Sequence, residues 1–124
     1  MTHALLIDDN PQNLRVIAQL LAKQGIDTTE IYDPLALETV LPDEQPDVIF
    51  LDLEMPGTNG YAVRDTLRTH YPDAPIIAYT VHVSEINHAR EVGFDGFLGK
   101  PLDTARFPDQ IARILRHEPV WERS

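Results

Sequence analysis

The stretch Val48 to Gly60, VIFLDLEMPGTNG, constrains the fold more than any other part of this chain. Val48-Ile49-Phe50-Leu51 runs unbroken into a carboxylate, Asp52. A second acid follows at Glu54, and then Pro56, Gly57, Asn59 and Gly60 force a loop. An apolar run of this length between turn residues predicts a strand buried on both faces, which needs a layer of helices on each side. The charge at its end does not serve packing. It stands at the edge of a core, where an ion or a reacting group can reach it. A second run of this kind, Ala4-Leu5-Leu6-Ile7, also ends in acids, Asp8 and Asp9.

Between and after these runs, helix and strand patterns alternate. Asn10-Pro11 predicts a capped helix start, Leu14, Ile17, Ala18 and Leu21 recur at helical spacing, and Gly25 closes the helix. Thr28 to Tyr32 has weaker strand character. Asp33-Pro34 begins a short helix carrying Leu37, Val40 and Leu41, which Pro42 ends. Asn59 caps a helix that turns Val63 and Leu67 inward. Pro75 to Thr80 is a fourth strand. Ser84 caps a helix with Ile86, Ala89 and Val92 on one face, stopped at Gly93. Phe94 to Leu98 is a fifth strand, followed by Gly99-Lys100-Pro101. Asp103 introduces a last helix with Phe107, Ile111, Ile114 and Leu115 on one face. Pro108 predicts that its first turn is distorted or that it starts near Phe107. Glu118 to Ser124 reads as a tail holding the only tryptophan, Trp121.

Five β–α units imply an α/β fold, a doubly wound five-stranded parallel sheet with helices on both faces. The common strand order is then 2-1-3-4-5, with ligands bound beyond the carboxyl ends of the strands near strands 1 and 3. The 124 residues make one domain, expected over residues 1–118 with a tail at 119–124. A net charge of −10 argues against the basic stripe that nucleic-acid binding requires and gives no reason to expect binding to an anionic membrane. The absence of cysteine excludes disulfides and thiolate metal sites. No apolar run is long enough to span a membrane, and the amino-terminal residues do not form a signal peptide, so a cytoplasmic location is expected.

The topology gathers polar groups at one sheet edge: Asp8 and Asp9 after strand 1, Asp52 after strand 3, Thr80 after strand 4, Lys100 after strand 5. Carboxylates brought together repel, so at least one should have a raised pKa unless a cation or a hydrogen bond compensates. An all-oxygen set with open positions suits Mg²⁺, which shares its shell readily with phosphate. Mg²⁺, an ammonium and a hydroxyl around a carboxylate is a set for phosphoryl transfer, with Asp52 as nucleophile. One strand-end Asp is most often a turn former. The argument rests on four strand ends being polar in the matching way.

These residues carry a resemblance. Asp8-Asp9-Asn10, Asp52 with Met55-Pro56-Gly57 and Asn59-Gly60, Thr80, and Lys100-Pro101 together resemble the receiver domain of two-component response regulators, over about residues 3 to 117. The resemblance implies a flavodoxin-like (βα)5 fold and a phosphoacceptor rather than a substrate-turnover enzyme. Asp52 would take the phosphoryl group from a sensor histidine kinase or a histidine phosphotransfer protein, and the domain would catalyse its own phosphorylation and dephosphorylation. Asp9, Asp52 and the backbone carbonyl of Glu54 would ligate Mg²⁺, with Asp8 holding a metal-bound water. Thr80 and Lys100 would contact the phosphoryl oxygens, and the Lys100–Pro101 bond would be cis. Thr80 and Phe97 would form the switch, and the output face would run from the helix at Ser84 through the fifth strand to Leu115. Phe97 lacks the hydroxyl of tyrosine versions of this switch.

Val81 stands where the family favours a small residue, so access to Asp52 should be narrowed. Glu54 and His82 flank the pocket mouth. No output domain follows the last helix, so a stand-alone receiver acting on an unknown partner, or in a phosphorelay, is expected. Homodimerisation through the output face stays open. Two other readings stay open as well. One is an Mg²⁺-dependent phosphatase with Glu54 in the place of a general acid. The other is an interaction module that no longer uses phosphate.

Overall fold

The computed structural model describes residues 2–33, 41–55, 57 and 59–123. The helix expected around Leu37 and Val40, and Pro56 of the loop after Asp52, lie outside these residues. Strand β1 spans His3–Ile7, helix α1 Pro11–Lys23, β2 Asp27–Ile31, β3 Val48–Asp52 and α2 Gly60–His70. Then follow β4 at Ile76–Thr80, a 3₁₀ turn at Val83–Glu85, α3 at Ile86–Glu91, β5 at Gly96–Gly99, α4 at Phe107–Leu115 and β6 at Val120–Glu122. The sheet is wholly parallel, in the order β2-β1-β3-β4-β5-β6. The α/β class and the order 2-1-3-4-5 are as expected. The sheet carries a sixth strand where a tail was expected.

Side-chain alternation builds two cores. Leu5, Ile7, Ile49, Leu51, Ala78 and Phe97 face one helix layer, where Val63 and Leu67 of α2 and Ile86 and Ala89 of α3 meet them. Ala4, Leu6, Phe50, Ile77, Tyr79 and Leu98 face the other, closed by α1 and α4. Every residue of β3 and β4 is buried, which is why those strands read as continuous apolar runs rather than as alternation. The burial ends in polar groups only at Asp52 and Thr80.

The local signals mostly act as read. Asn10 Oδ1 accepts the Gln12 N–H at 2.9 Å, Pro11 opens α1, and Gly25 leaves it with φ +75°. Asn59 Oδ1 accepts the Tyr61 N–H at 2.9 Å and starts α2. Gly60 packs closely there: a Cβ would lie 3.0–3.1 Å from Leu53, which would have to give way. Ser84 does not cap a helix with its side chain. The chain passes through the 3₁₀ turn first, and α3 is less than two turns long. Asp103 does cap, but a turn: its Oδ1 accepts Ala105 N–H at 3.0 Å, and α4 begins at Phe107 with Pro108 in its first turn. Proline costs nothing there, because that N–H has no helical partner.

Strand β6 is held from several sides. Its Val120, Trp121 and Glu122 stand in register with Gly96, Phe97 and Leu98. The Arg90 guanidinium of α3 stacks on the Trp121 ring at 4.6 Å. Glu122 pairs with Arg106, accepts from Arg113 Nη2 at 2.5 Å and from Gln110 Nε2 at 2.9 Å. Two β5 glycines leave room for this approach. A Cβ on Gly96 would lie 2.8 Å from the Val120 carbonyl oxygen, and one on Gly99 would lie 1.7 Å from that of Arg123. The folded unit therefore reaches Glu122, and Trp121 belongs to the sheet.

Candidate functional site

Register alone assembles the polar edge. Ile7 pairs with Leu51, so Asp8 and Asp52 emerge side by side from β1 and β3. Asp52 pairs with Tyr79 and Thr80 with Gly99, which brings Thr80 and Lys100 to the same edge. Asp8, Asp9 and Asp52 each offer a carboxylate oxygen within 4.8 Å of the others. Asp9 and Asp52 border a cleft of about 440 Å³ that Glu54, Lys100, Val81 and Tyr79 also line, and Asp8 lies buried behind them. Lys100 and Pro101 are joined by a cis peptide bond.

Asp8 is wholly buried and Asp52 nearly so, while Asp9 is exposed. Asp8 Oδ1 accepts the Asn10 N–H at 2.9 Å; its Oδ2 accepts from the Tyr79 hydroxyl at 2.9 Å and from Lys100 Nζ at 3.3 Å. Asp52 Oδ1 accepts the Glu54 N–H at 2.9 Å and lies 3.4 Å from Lys100 Nζ. These environments separate the two acids. Burial drives the Asp52 carboxyl up to about 7; the Glu54 N–H and Lys100 oppose this, and the Asp8 charge adds to it. Burial also works to raise Asp8, but Asn10, Lys100 and the Tyr79 hydroxyl outweigh it and hold that carboxyl below its ordinary range. One lysine among three acids leaves negative charge in excess. That donor set, all oxygen and partly open to the cleft, fits a hard divalent cation.

The other residues expected at the site are placed as follows. Thr80 is buried at the end of β4, and its Oγ1 accepts the His82 N–H at 3.2 Å. The Glu54 backbone stands beside Asp52, while its carboxylate is engaged by the His82 imidazole. Phe97 is fully buried in the core against β4 and does not line the cleft. Val81 is 56% exposed at the cleft wall.

Tyr79 escapes a reading of the motifs, because its neighbour Thr80 draws the attention. The signal was available all the same. A tyrosine inside a strand buried on both faces must find a partner for its hydroxyl, and the closest polar groups are at the strand ends.

A family model described as the response regulator receiver domain matches residues 4–112. The chain is 31% identical over 121 residues to Protein RcaC of Microchaete diplosiphon, covering 94% of this chain and 19% of that protein. It is 29% identical to Sensor protein GacS of Pseudomonas syringae pv. syringae, covering 96% of this chain and 14% of that protein. The chain thus spans less than a fifth of either relative. Among solved structures, a two-component response regulator from Clostridium difficile superposes with a TM-score of 0.81 at 25% identity, covering 94% of this chain and 97% of that one.

Proposed function

The chain belongs to the response regulator receiver family, and from that premise we propose that Asp52 is the phosphoacceptor of a two-component signalling step. The observation that carries this reading is Asp52 itself. It is a buried carboxylate at the end of the central strand, 3.4 Å from the Lys100 ammonium, opening on a cleft edged by two further acids. Such a group is shielded from bulk water yet reachable from one side.

In this reading the donor is the phosphohistidine of a sensor kinase or of a histidine phosphotransfer protein. An Asp52 carboxylate oxygen bonds to phosphorus as the P–N bond breaks, and the departing imidazole nitrogen takes up a proton. Lys100 meets the phosphoryl oxygens as charge collects on them, and the Thr80 hydroxyl turns to donate to the new group. Asp9, Asp52 and the Glu54 carbonyl would hold Mg²⁺, with Asp8 behind a coordinated water. When bound, that ion supplies charge neutralisation for the incoming dianion. Water reaching Asp52 from that same side would hydrolyse the acyl phosphate, so the domain that forms it also removes it.

Thr80 ends β4 opposite Gly99, and Phe97 is buried in the core in register with Ala78, two residues before Thr80. A dianion at Asp52 adds acceptors that bias this pair. The surface from α3 through β5 to α4 is the output face in this reading, where an output protein or a second copy of the chain binds. The experiment is direct. Incubation with acetyl phosphate and Mg²⁺ should add one phosphoryl mass to the intact chain, and Asp52→Asn should abolish it. Continued turnover of small phosphoesters would favour a phosphatase instead; absence of any mass gain would favour a module that does not use phosphate.

A further inference from the structure

Tyr79 makes contacts that packing alone does not call for. Its hydroxyl donates to Asp8 Oδ2 at 2.9 Å, at a point where both residues are buried. Its ring lies 4.3 Å from Lys100 Nζ, in cation–π geometry. The same ammonium reaches Asp8 at 3.3 Å and Asp52 at 3.4 Å. One side chain thus touches both partners of the ion pair beside the phosphoacceptor, and its ring makes a T-shaped contact with Phe50 at 6.3 Å between centroids. A lysine on a four-carbon stem has many rotamers, and two carboxylates alone do not select one. The ring supplies a floor for the ammonium, and the hydroxyl fixes the oxygen toward which it points.

We propose that Tyr79 is a positioning residue for phosphoryl transfer, acting through Lys100: it sets where the ammonium waits before the phosphoryl group arrives. This rests on the reading of Asp52 as phosphoacceptor. The residue does not touch the reacting atoms. It reduces the reorganisation that Lys100 would otherwise undergo in the transition state.

The test is a double-mutant cycle on the rate of phosphorylation by acetyl phosphate in Mg²⁺, followed by intact mass. Tyr79→Phe keeps the ring and deletes the hydroxyl. It should slow the rate at saturating donor about tenfold, the effect of losing one hydrogen bond to a charged group, and leave the half-saturating donor concentration within about twofold. In the Lys100→Ala background the same change should cost less than about twofold, because the group it acts through is gone. A role in folding alone would give the same factor in both backgrounds, and that result overturns the proposal. So does a wild-type rate in Tyr79→Phe. Urea unfolding of each variant establishes that the folded fraction is complete at the assay temperature. Should the wild-type chain gain no phosphoryl mass, the reading of Asp52 fails; if it does and Tyr79→Phe matches it, only the role of Tyr79 fails.

Discussion

Asp52 and Asp8 are identical side chains a few ångströms apart in opposite ionisation regimes, and the difference is testable. An Asp52 carboxyl in the unfolded chain ionises near its ordinary value of 3.8, whereas the folded chain holds the proton up to about 7. Between these values the folded state binds the extra proton. The stability this group contributes is therefore full below pH 3.8 and is lost as pH rises through 7. Asp52→Asn keeps the shape and removes the titration. In the presence of a chelator, urea unfolding should show the Asn variant gaining on wild type by roughly 2 kcal/mol between about pH 5 and about pH 8. An unchanged gap would mean that Asp52 is ionised throughout. At the cleft wall, Val81→Ala should speed phosphorylation by acetyl phosphate on the order of threefold, by easing the approach of the donor. Equal rates would show that Val81 does not limit access. The strand-end residues could be read from the chain because each follows an apolar run. Tyr79 could not be read this way. Its role depends on which strands are neighbours, and the hydroxyl reaches Asp8 across 71 positions of sequence.

At the scale of elements, local chemistry and tertiary contact divide the outcome. Helices α1 and α2 start where Asn10 and Asn59 say they should, because a cap and its N–H partners lie within one turn. Strand β6 shows the opposite case. Val120-Trp121-Glu122 is too short to carry a period, and Pro119 before it reads as a break. Its pairing is decided by the glycines of β5, by Arg90 on one side and by Arg106 and Arg113 on the other. Gly99→Ala tests this. An added methyl would meet the Arg123 carbonyl oxygen at 1.7 Å, so backbone must move. The variant should lose roughly 1–3 kcal/mol and shift the emission of Trp121 toward that of a solvated indole. Unaltered emission and stability would show that β6 accommodates the methyl without leaving β5.

For the whole molecule, the excess of acids at one edge of the sheet would couple the binding of a divalent cation to folding. Mg²⁺ should raise the unfolding free energy from urea titration at about pH 8 by about 2.7 kcal/mol at a hundredfold excess over its dissociation constant. The gain should shrink at about pH 6, where Asp52 has to shed its proton before it can serve as a ligand. A gain independent of pH would place the ion elsewhere. The sheet order was legible because strands alternate with helices, and a doubly wound sheet of five strands commonly runs 2-1-3-4-5. The sixth strand was not, and it changes the molecule's outline.

Because all six strands run in one direction, the chain enters at one end of the sheet and, after β6, leaves at the other. Arg123 emerges against Gly99, next to Lys100. A purification handle or fluorescent reporter joined after Arg123 would therefore leave from the same edge of the sheet as the cleft. One joined ahead of His3 would hang from the opposite end and leave the cleft clear.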